Sequence, residues 1–151
     1  KKKYAFVIDP VRLQLLREHG GIWLDTDIEI IKNLDPLLEL PAFMSFESDT
    51  LLHTGIVGSE KGAAWTDEYW KYMNRKPFIR WNGRLNKTPS TVIISRILKK
   101  RGVKLDNTFQ IYDDSLHIFP KDYFCPKDYK TGKITITDNT YCIHHFAGSW
   151  K

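Results

Sequence analysis

Short apolar runs alternate with stretches of helical periodicity along the chain. Tyr4–Ile8 is a short apolar run, and Asp9-Pro10 behind it predicts a helix start, with Asp as N-cap and Pro at the first helical position. Val11, Leu15 and Leu16 recur at helical spacing, and Gly20-Gly21 supplies the stop. Ile22–Leu24 reads as a short buried strand ending at Asp25. Ile28–Ile31 is a second apolar stretch, and 33–36 a turn. Phe43–Phe46 and Gly55–Gly58 read as further strands. Ala63–Asn74 has helical length and carries Trp65, Tyr69, Trp70 and Met73. Pro89 opens another helix that runs through Lys100 and closes at Gly102. Beyond it lie short strands and loops: Gln110–Tyr112, His117–Phe119, Ile134–Thr137 and Tyr141–Phe146. Strands mixed with helices, without internal repeat or low-complexity linker, predict one α/β domain over residues 1–151.

Composition alters this picture little. A hydrophobic share of 42% and a charged share of 27% are ordinary for a globular chain. The 13% aromatic share adds a little weight to a carbohydrate or nucleotide site, because aromatic rings stack on sugars and bases. A net charge of +5 suits an anionic partner such as a nucleoside diphosphate, a nucleic acid or an anionic membrane surface. Lys1–Lys3 and the group Lys99, Lys100, Arg101 and Lys104 read as solvated surface. Neither cluster has interleaved aromatics, so no nucleic-acid partner is expected, while peripheral contact with an anionic membrane stays open. Cys125 and Cys142 match no disulfide framework or zinc-ligand spacing, and reduced, cytoplasmic thiols are the expectation. No apolar run approaches the ~20 residues of a membrane span, and no signal peptide is visible. The first residue is Lys, so the chain is expected to be a piece of something longer.

The chemistry concentrates at Asp25-Thr26-Asp27. In an extended segment alternate side chains share a face, which predicts that Asp25 and Asp27 point together while Thr26 points elsewhere. Paired carboxylates repel unless protonated or bridged by a cation, and a hard divalent ion such as Mn²⁺ or Mg²⁺ is the natural bridge. The preceding glycines allow backbone and ligand to approach closely. A bare Asp-x-Asp is usually a solvated turn; the apolar run that delivers this one to a strand end favours a site. An EF-hand loop starting at Asp25 would need Gly and Glu where Ile30 and Pro36 stand. A haloacid-dehalogenase-type phosphohydrolase is the runner-up, with Asp113-Asp114 as its later acidic pair. Glu29 stands where that family expects Thr or Val.

Asp9, Arg12, Gly20-Gly21-Ile22-Trp23-Leu24-Asp25-Thr26-Asp27 and the ending His144-His145-Phe146-Ala147-Gly148-Ser149-Trp150 together carry a resemblance. The chain resembles the glycosyltransferases with an Asp-x-Asp sugar-binding region. These include bacterial capsule and lipopolysaccharide sugar transferases, yeast initiating mannosyltransferases and, more distantly, clostridial glucosylating toxins. The resemblance implies a GT-A-like fold, a Rossmann-like mixed sheet flanked by helices, incomplete at the N-terminus because the family's longer nucleotide-binding half is missing. It implies that Asp9 contacts sugar hydroxyls, and that Arg12, Gly21, Trp23 and Asp25 line the donor. It implies that Asp25 and Asp27 hold ribose and metal, and that Ser149 and Trp150 fold over the diphosphate. Strand alternation puts His144 and His145 on opposite faces, so one of the two is expected at the metal; the His-x-x-Gly spacing of related transferases favours His145, with Gly148, over His144.

Three readings follow from these residues. The first is a retaining glycosyltransferase using Mn²⁺ or Mg²⁺, with Asp25, Asp27 and Arg12 as its catalytic groups. It would move a sugar from a UDP- or GDP-sugar to a saccharide or glycolipid acceptor, in surface polysaccharide synthesis, at the inner face of a membrane. The second is the magnesium phosphohydrolase. The third is an inactive carbohydrate- or nucleotide-binding fragment.

Overall fold

The computed structural model describes residues 5–76 and 78–148. Ser149 and Trp150 lie outside the described residues. Among the described residues four α-helices and eight strands follow in the order α1 (Ala5–His19), β1 (Gly21–Leu24), β2 (Ile28–Ile30), α2 (Asp35–Leu38), β3 (Ala42–Ser48), β4 (Leu51–Leu52), β5 (Ile56–Ser59), α3 (Ala64–Arg75), α4 (Ser90–Lys99), β6 (Gln110–Tyr112), β7 (Leu116–Phe119) and β8 (Cys142–His144), with a short 3-10 turn at Lys121–Tyr123. The main sheet has the order β1-β5-β3-β7-β6, with β4 hung on β3. Only β3 and β7 run parallel; the other pairs in it are antiparallel. This is a mixed α/β architecture with a six-stranded mixed sheet, consistent with a Rossmann-like GT-A core.

Central strand β3 explains why its sequence shows no alternation. Met44 and Phe46 face a cluster with Leu13 and Leu16 of α1, Trp65 and Tyr69 of α3, and Ile94 and Leu98 of α4. Phe43 faces the other way, into a smaller cluster with Leu37, Ile56, Phe124 and Cys142. A strand covered on both faces reads as a near-continuous apolar run, and Ala42 to Phe46 are all buried, with Ser45, the one polar residue, donating its hydroxyl to the Phe46 carbonyl. The second cluster also underlies a separate two-stranded ribbon, in which β2 and β8 pair antiparallel with Ile28 opposite His144.

Helix α1 departs from expectation. It starts at Ala5, so Asp9 is not its N-cap and Pro10 lies inside it. An interior proline forfeits one ladder bond and costs about 3 kcal/mol in isolation. Tertiary contact carries the first turn through it, since Phe6 stacks on Phe78 with ring centroids 5.4 Å apart. The buried face also differs: Leu13 and Leu16 are buried, whereas Val11 and Leu15 are exposed. Gly20 ends the helix with φ +73°, and a Cβ there would stand 2.8 Å from the Lys61 amide. Both constraints exclude other residues and turn the chain directly into β1. The expected strand at 134–137 does not form, because only an isolated bridge between Lys127 and Ile134 pairs it. No helix of the described residues is long and apolar enough to cross a membrane.

Candidate functional site

Strand β1 ends at Leu24, and Asp25 to Asp27 form a tight turn, closed by Ile28 N–H donating to Asp25 C=O at 3.1 Å. The carboxylates therefore converge by a turn, not by the strand alternation expected of an extended segment. Asp25 is anchored from three sides. Its amide donates to Gly55 C=O at 2.7 Å, Trp23 Nε1 donates to its Oδ1 at 2.7 Å, and Arg12 Nη1 stands 3.6 Å from the same oxygen. Asp27 Oδ2 accepts the Ala147 N–H at 2.9 Å, and its carbonyl accepts the His145 N–H at 3.0 Å. The C-terminal segment is thereby tied to the turn. Among the described residues, Asp25 Oδ2 and Asp27 Oδ1 accept no hydrogen bond.

The third member of the cluster is His144. Its Nε2 stands 3.4 Å from Asp27 Oδ2, and one donor atom each from Asp25, Asp27 and His144 lies within 4.8 Å of the others. Of the two histidines that the sequence offers, the one grouped with the carboxylates is His144, not the favoured His145. His145 bonds Glu29 through Nε2 at 2.7 Å, on the outer side of the ribbon. The register of β8 against β2 decides this, because His144 is the last paired residue and stays on the inward side beside Asp27, while His145 points away.

Behind His144 lies a residue that no sequence argument singled out. His53, 1% exposed, shares a 3.0 Å hydrogen bond from its Nε2 to His144 Nδ1. The signal was present: a lone polar residue in the apolar run Leu51-Leu52-His53, two positions before a glycine. Burial, together with the neighbouring His144 and Arg12, holds His53 well below the usual imidazole range, so it is neutral. Burial also lowers His144, and Asp27 and Asp25 oppose that shift. Gly55 makes room for the arrangement, since a Cβ there would fall 2.7 Å from His53 Nε2 and 3.1 Å from Asp25 Oδ2.

Arg12 and Asp9 stand behind the carboxylates rather than over an open donor surface. Arg12 is 6% exposed, bonds the Thr54 carbonyl, pairs with Asp9 Oδ1 at 2.6 Å and lies over the Trp23 ring at 5.6 Å. Their polar atoms pair with one another, with the Thr54 carbonyl and with Asp25. Burial raises the Asp9 carboxyl, against the pull of Arg12. Trp23 is likewise committed through its N–H to Asp25. Gly21 is not brought to the cluster; it pairs with Ser59 at the far end of β1. Asp113 and Asp114 join β6 to β7, at the sheet edge opposite β1, so they do not converge with Asp25 and Asp27 as a phosphohydrolase would need.

A divalent metal fits this donor set. Two carboxylates, each with a free oxygen, and a neutral imidazole suit Mn²⁺ or Mg²⁺ chemistry. The imidazole's other nitrogen is held by a buried partner, as ligating histidines usually are.

Residues 1–44 match the family model described as the glycosyltransferase sugar-binding region containing DXD motif. The chain is 39% identical over 54 residues to an inositol phosphoceramide mannosyltransferase of Schizosaccharomyces pombe, covering 36% of this chain and 15% of that protein. It is 39% identical over 51 residues to a mannosyl phosphorylinositol ceramide synthase of Saccharomyces cerevisiae, covering 34% of this chain and 14% of that one. An uncharacterized glycosyltransferase of Acanthamoeba polyphaga mimivirus is 32% identical over 90 residues, 60% of this chain and 36% of the viral protein. The matches thus span well under half the length of these relatives. No solved structure matches significantly. Asp25-Thr26-Asp27 lies inside the matched region, so over residues 1–44 the chain is similar to the glycosyltransferases whose sugar-binding region contains the DXD motif.

Proposed function

We propose that the chain carries the metal and donor-phosphate part of a retaining glycosyltransferase that moves a hexose from a UDP- or GDP-sugar to a saccharide or glycolipid acceptor. The observation that carries this reading is the convergence of Asp25, Asp27 and His144 at the end of β1. The names of the two yeast relatives, an inositol phosphoceramide mannosyltransferase and a mannosyl phosphorylinositol ceramide synthase, favour mannose and a phosphoinositol-bearing lipid acceptor.

During transfer the bond from the anomeric carbon to the diphosphate oxygen breaks. Negative charge grows on the leaving phosphate while the sugar becomes oxocarbenium-like. A divalent ion held by Asp25, Asp27 and His144 would supply Lewis-acid neutralisation of that charge. The chain's own contribution is to hold those ligands before substrate arrives. Trp23 and Arg12 fix one oxygen of Asp25, the Ala147 N–H fixes one of Asp27, and His53 fixes the ring of His144. Preorganisation of this kind removes a reorganisation cost from the reacting complex.

The test pairs Mn²⁺ calorimetry with donor hydrolysis. Mn²⁺ binding that is lost in Asp27→Asn, with release of sugar from UDP- or GDP-sugars, is the expected result. Release of phosphate from phosphomonoesters instead would favour the phosphohydrolase. Undiminished Mn²⁺ affinity in Asp27→Asn would overturn the metal assignment.

A further inference from the structure

The donor site makes no use of an exposed apolar and basic stretch at residues 75–76 and 78–87. Helix α3 ends at Arg75, and Phe78 to Asn86 fold into a short hairpin. Ile79 bridges Leu85, Asn86 N–H donates to Phe78 C=O at 2.6 Å, and Arg80 N–H to Arg84 C=O at 2.9 Å. Gly83 closes the tip: its N–H donates to Arg80 C=O at 2.9 Å, and its φ of +74° is the left-handed conformation that the following residue of a tight turn requires. The base is fixed by Phe78 stacking on Phe6 of α1. This is a defined turn.

What the turn presents is unusual for a solvated loop. Trp81 at its tip is 97% exposed, and Ile79 beside it is 64% exposed. Around them Arg75, Lys76, Arg80, Arg84 and Lys87 are all exposed, and the segment contains no Asp or Glu. These five cations equal the chain's formal net charge of +5, so the remainder of the chain is balanced. Among the described residues none of the five forms a salt bridge, and the Arg80 guanidinium donates to Asn86 Oδ1 at 3.5 Å.

An ordered hairpin that directs an indole and an isoleucine outward, ringed by unpaired cations, fits one surface chemistry. At a bilayer interface the indole settles at headgroup depth, the aliphatic side chain reaches the acyl boundary, and the cations meet lipid phosphates. A single-stranded nucleic acid would instead call for several stacking aromatics along a basic groove, and this tip offers one. We propose that residues 78–86 form a membrane-interfacial anchor that seats the chain on an anionic bilayer. The anchor lies on the flank of the donor site. Its base rests on Phe6, three residues before Asp9, and it leads into Ser90, whose hydroxyl bonds Thr54 Oγ1 at 3.0 Å beside Arg12. Seating the hairpin therefore holds the carboxylate cluster near the lipid–water boundary. The proposal does not require that transfer occur.

The test is vesicle co-sedimentation of the 151-residue chain. One arm uses phosphatidylcholine alone, the other phosphatidylcholine with about one third phosphatidylserine, each at low and high salt. Binding to the anionic vesicles, weakened by salt and absent from the neutral ones, is expected. Trp81→Ser should lower partitioning about tenfold, and Arg80→Ala with Arg84→Ala about 25-fold, roughly fivefold per cation. Brominated lipid should quench indole fluorescence in the wild type and much less in Trp81→Ser. Unchanged circular dichroism and Mn²⁺ affinity in Trp81→Ser would show that only docking was lost. The proposal fails if the wild type ignores anionic vesicles, if both variants bind as the wild type does, or if the same substitutions abolish equally strong binding to single-stranded RNA.

Discussion

Asp25 illustrates how one side chain is prepared for a ligand by neighbours that do not touch it. Trp23 Nε1 and Arg12 occupy Oδ1, Asp9 and the Thr54 carbonyl hold Arg12, and Oδ2 is left clear above Gly55. His53 does the same for His144. With His144 Nε2 turned to a metal, its proton sits on Nδ1 and His53 Nε2 accepts it; His53 then carries a proton on Nδ1, which has no partner among the described residues. An unsatisfied buried nitrogen costs stability, of order 1–3 kcal/mol. His53→Leu should therefore leave the metal-free protein as stable or more so, while Mn²⁺ affinity falls roughly tenfold or more. Thermal unfolding without metal and calorimetry with it would read the two effects separately. A parallel loss of both would mean that His53 only fills space. At the neighbouring position, His144→Ala should cost at least as much affinity, and His145→Ala should change it little, since His145 faces Glu29. Equal losses in the two would restore the assignment made from spacing.

At the scale of elements, what could be read from the sequence were features that local rules determine. Gly20 as a helix stop, the spans of α3 and α4, and the short run of β1 into Asp25 follow from helix termini, periodicity and turn residues. What could not be read depends on partners remote in sequence. Pro10 sits inside α1 because Phe78 holds the first turn, and the inward position of His144 depends on the pairing of β8 with β2, more than 100 residues apart. The DXD element itself was legible, but its carboxylates meet through a turn that an extended reading did not contain. The buried face of α1 offers a direct check. Leu16→Ala should destabilise by about 2–5 kcal/mol, because Leu16 is 3% exposed between sheet and α3, whereas Leu15→Ala, at 44% exposed, should stay within about 0.5 kcal/mol. Chemical denaturation of the two variants decides it, and similar losses would contradict the packing described.

For the molecule as a whole, the central strand carries an ionisable group whose charge state is tied to global stability. Glu47 follows the buried run of β3, in half-buried surroundings near the protonated Cys125 thiol, and burial pushes its carboxyl up to about 7. Its pKa is thus higher folded than unfolded, and the folded state binds the proton more tightly. The resulting stabilisation is fully present below about pH 4.5, the unfolded value, and is lost as pH rises through about 7. The full shift corresponds to at most about 3 kcal/mol, reduced by the residual solvent contact of a half-buried group. Glu47→Gln removes the titration without removing the side chain. The variant should track the wild type near pH 5 and become more stable than it by about 1–2 kcal/mol at pH 8, after that reduction for solvent contact. Denaturant unfolding at the two pH values measures the difference directly. A constant offset between the two proteins would show that Glu47 ionises as freely in the fold as in the unfolded chain. Because β3 joins the sheet to both hydrophobic clusters, this single carboxyl would otherwise make the whole core weaker on the alkaline side. Cys125 and Cys142 do not share in that titration below pH 8, since burial raises the first thiol well above its usual range and pushes the second up to about 12.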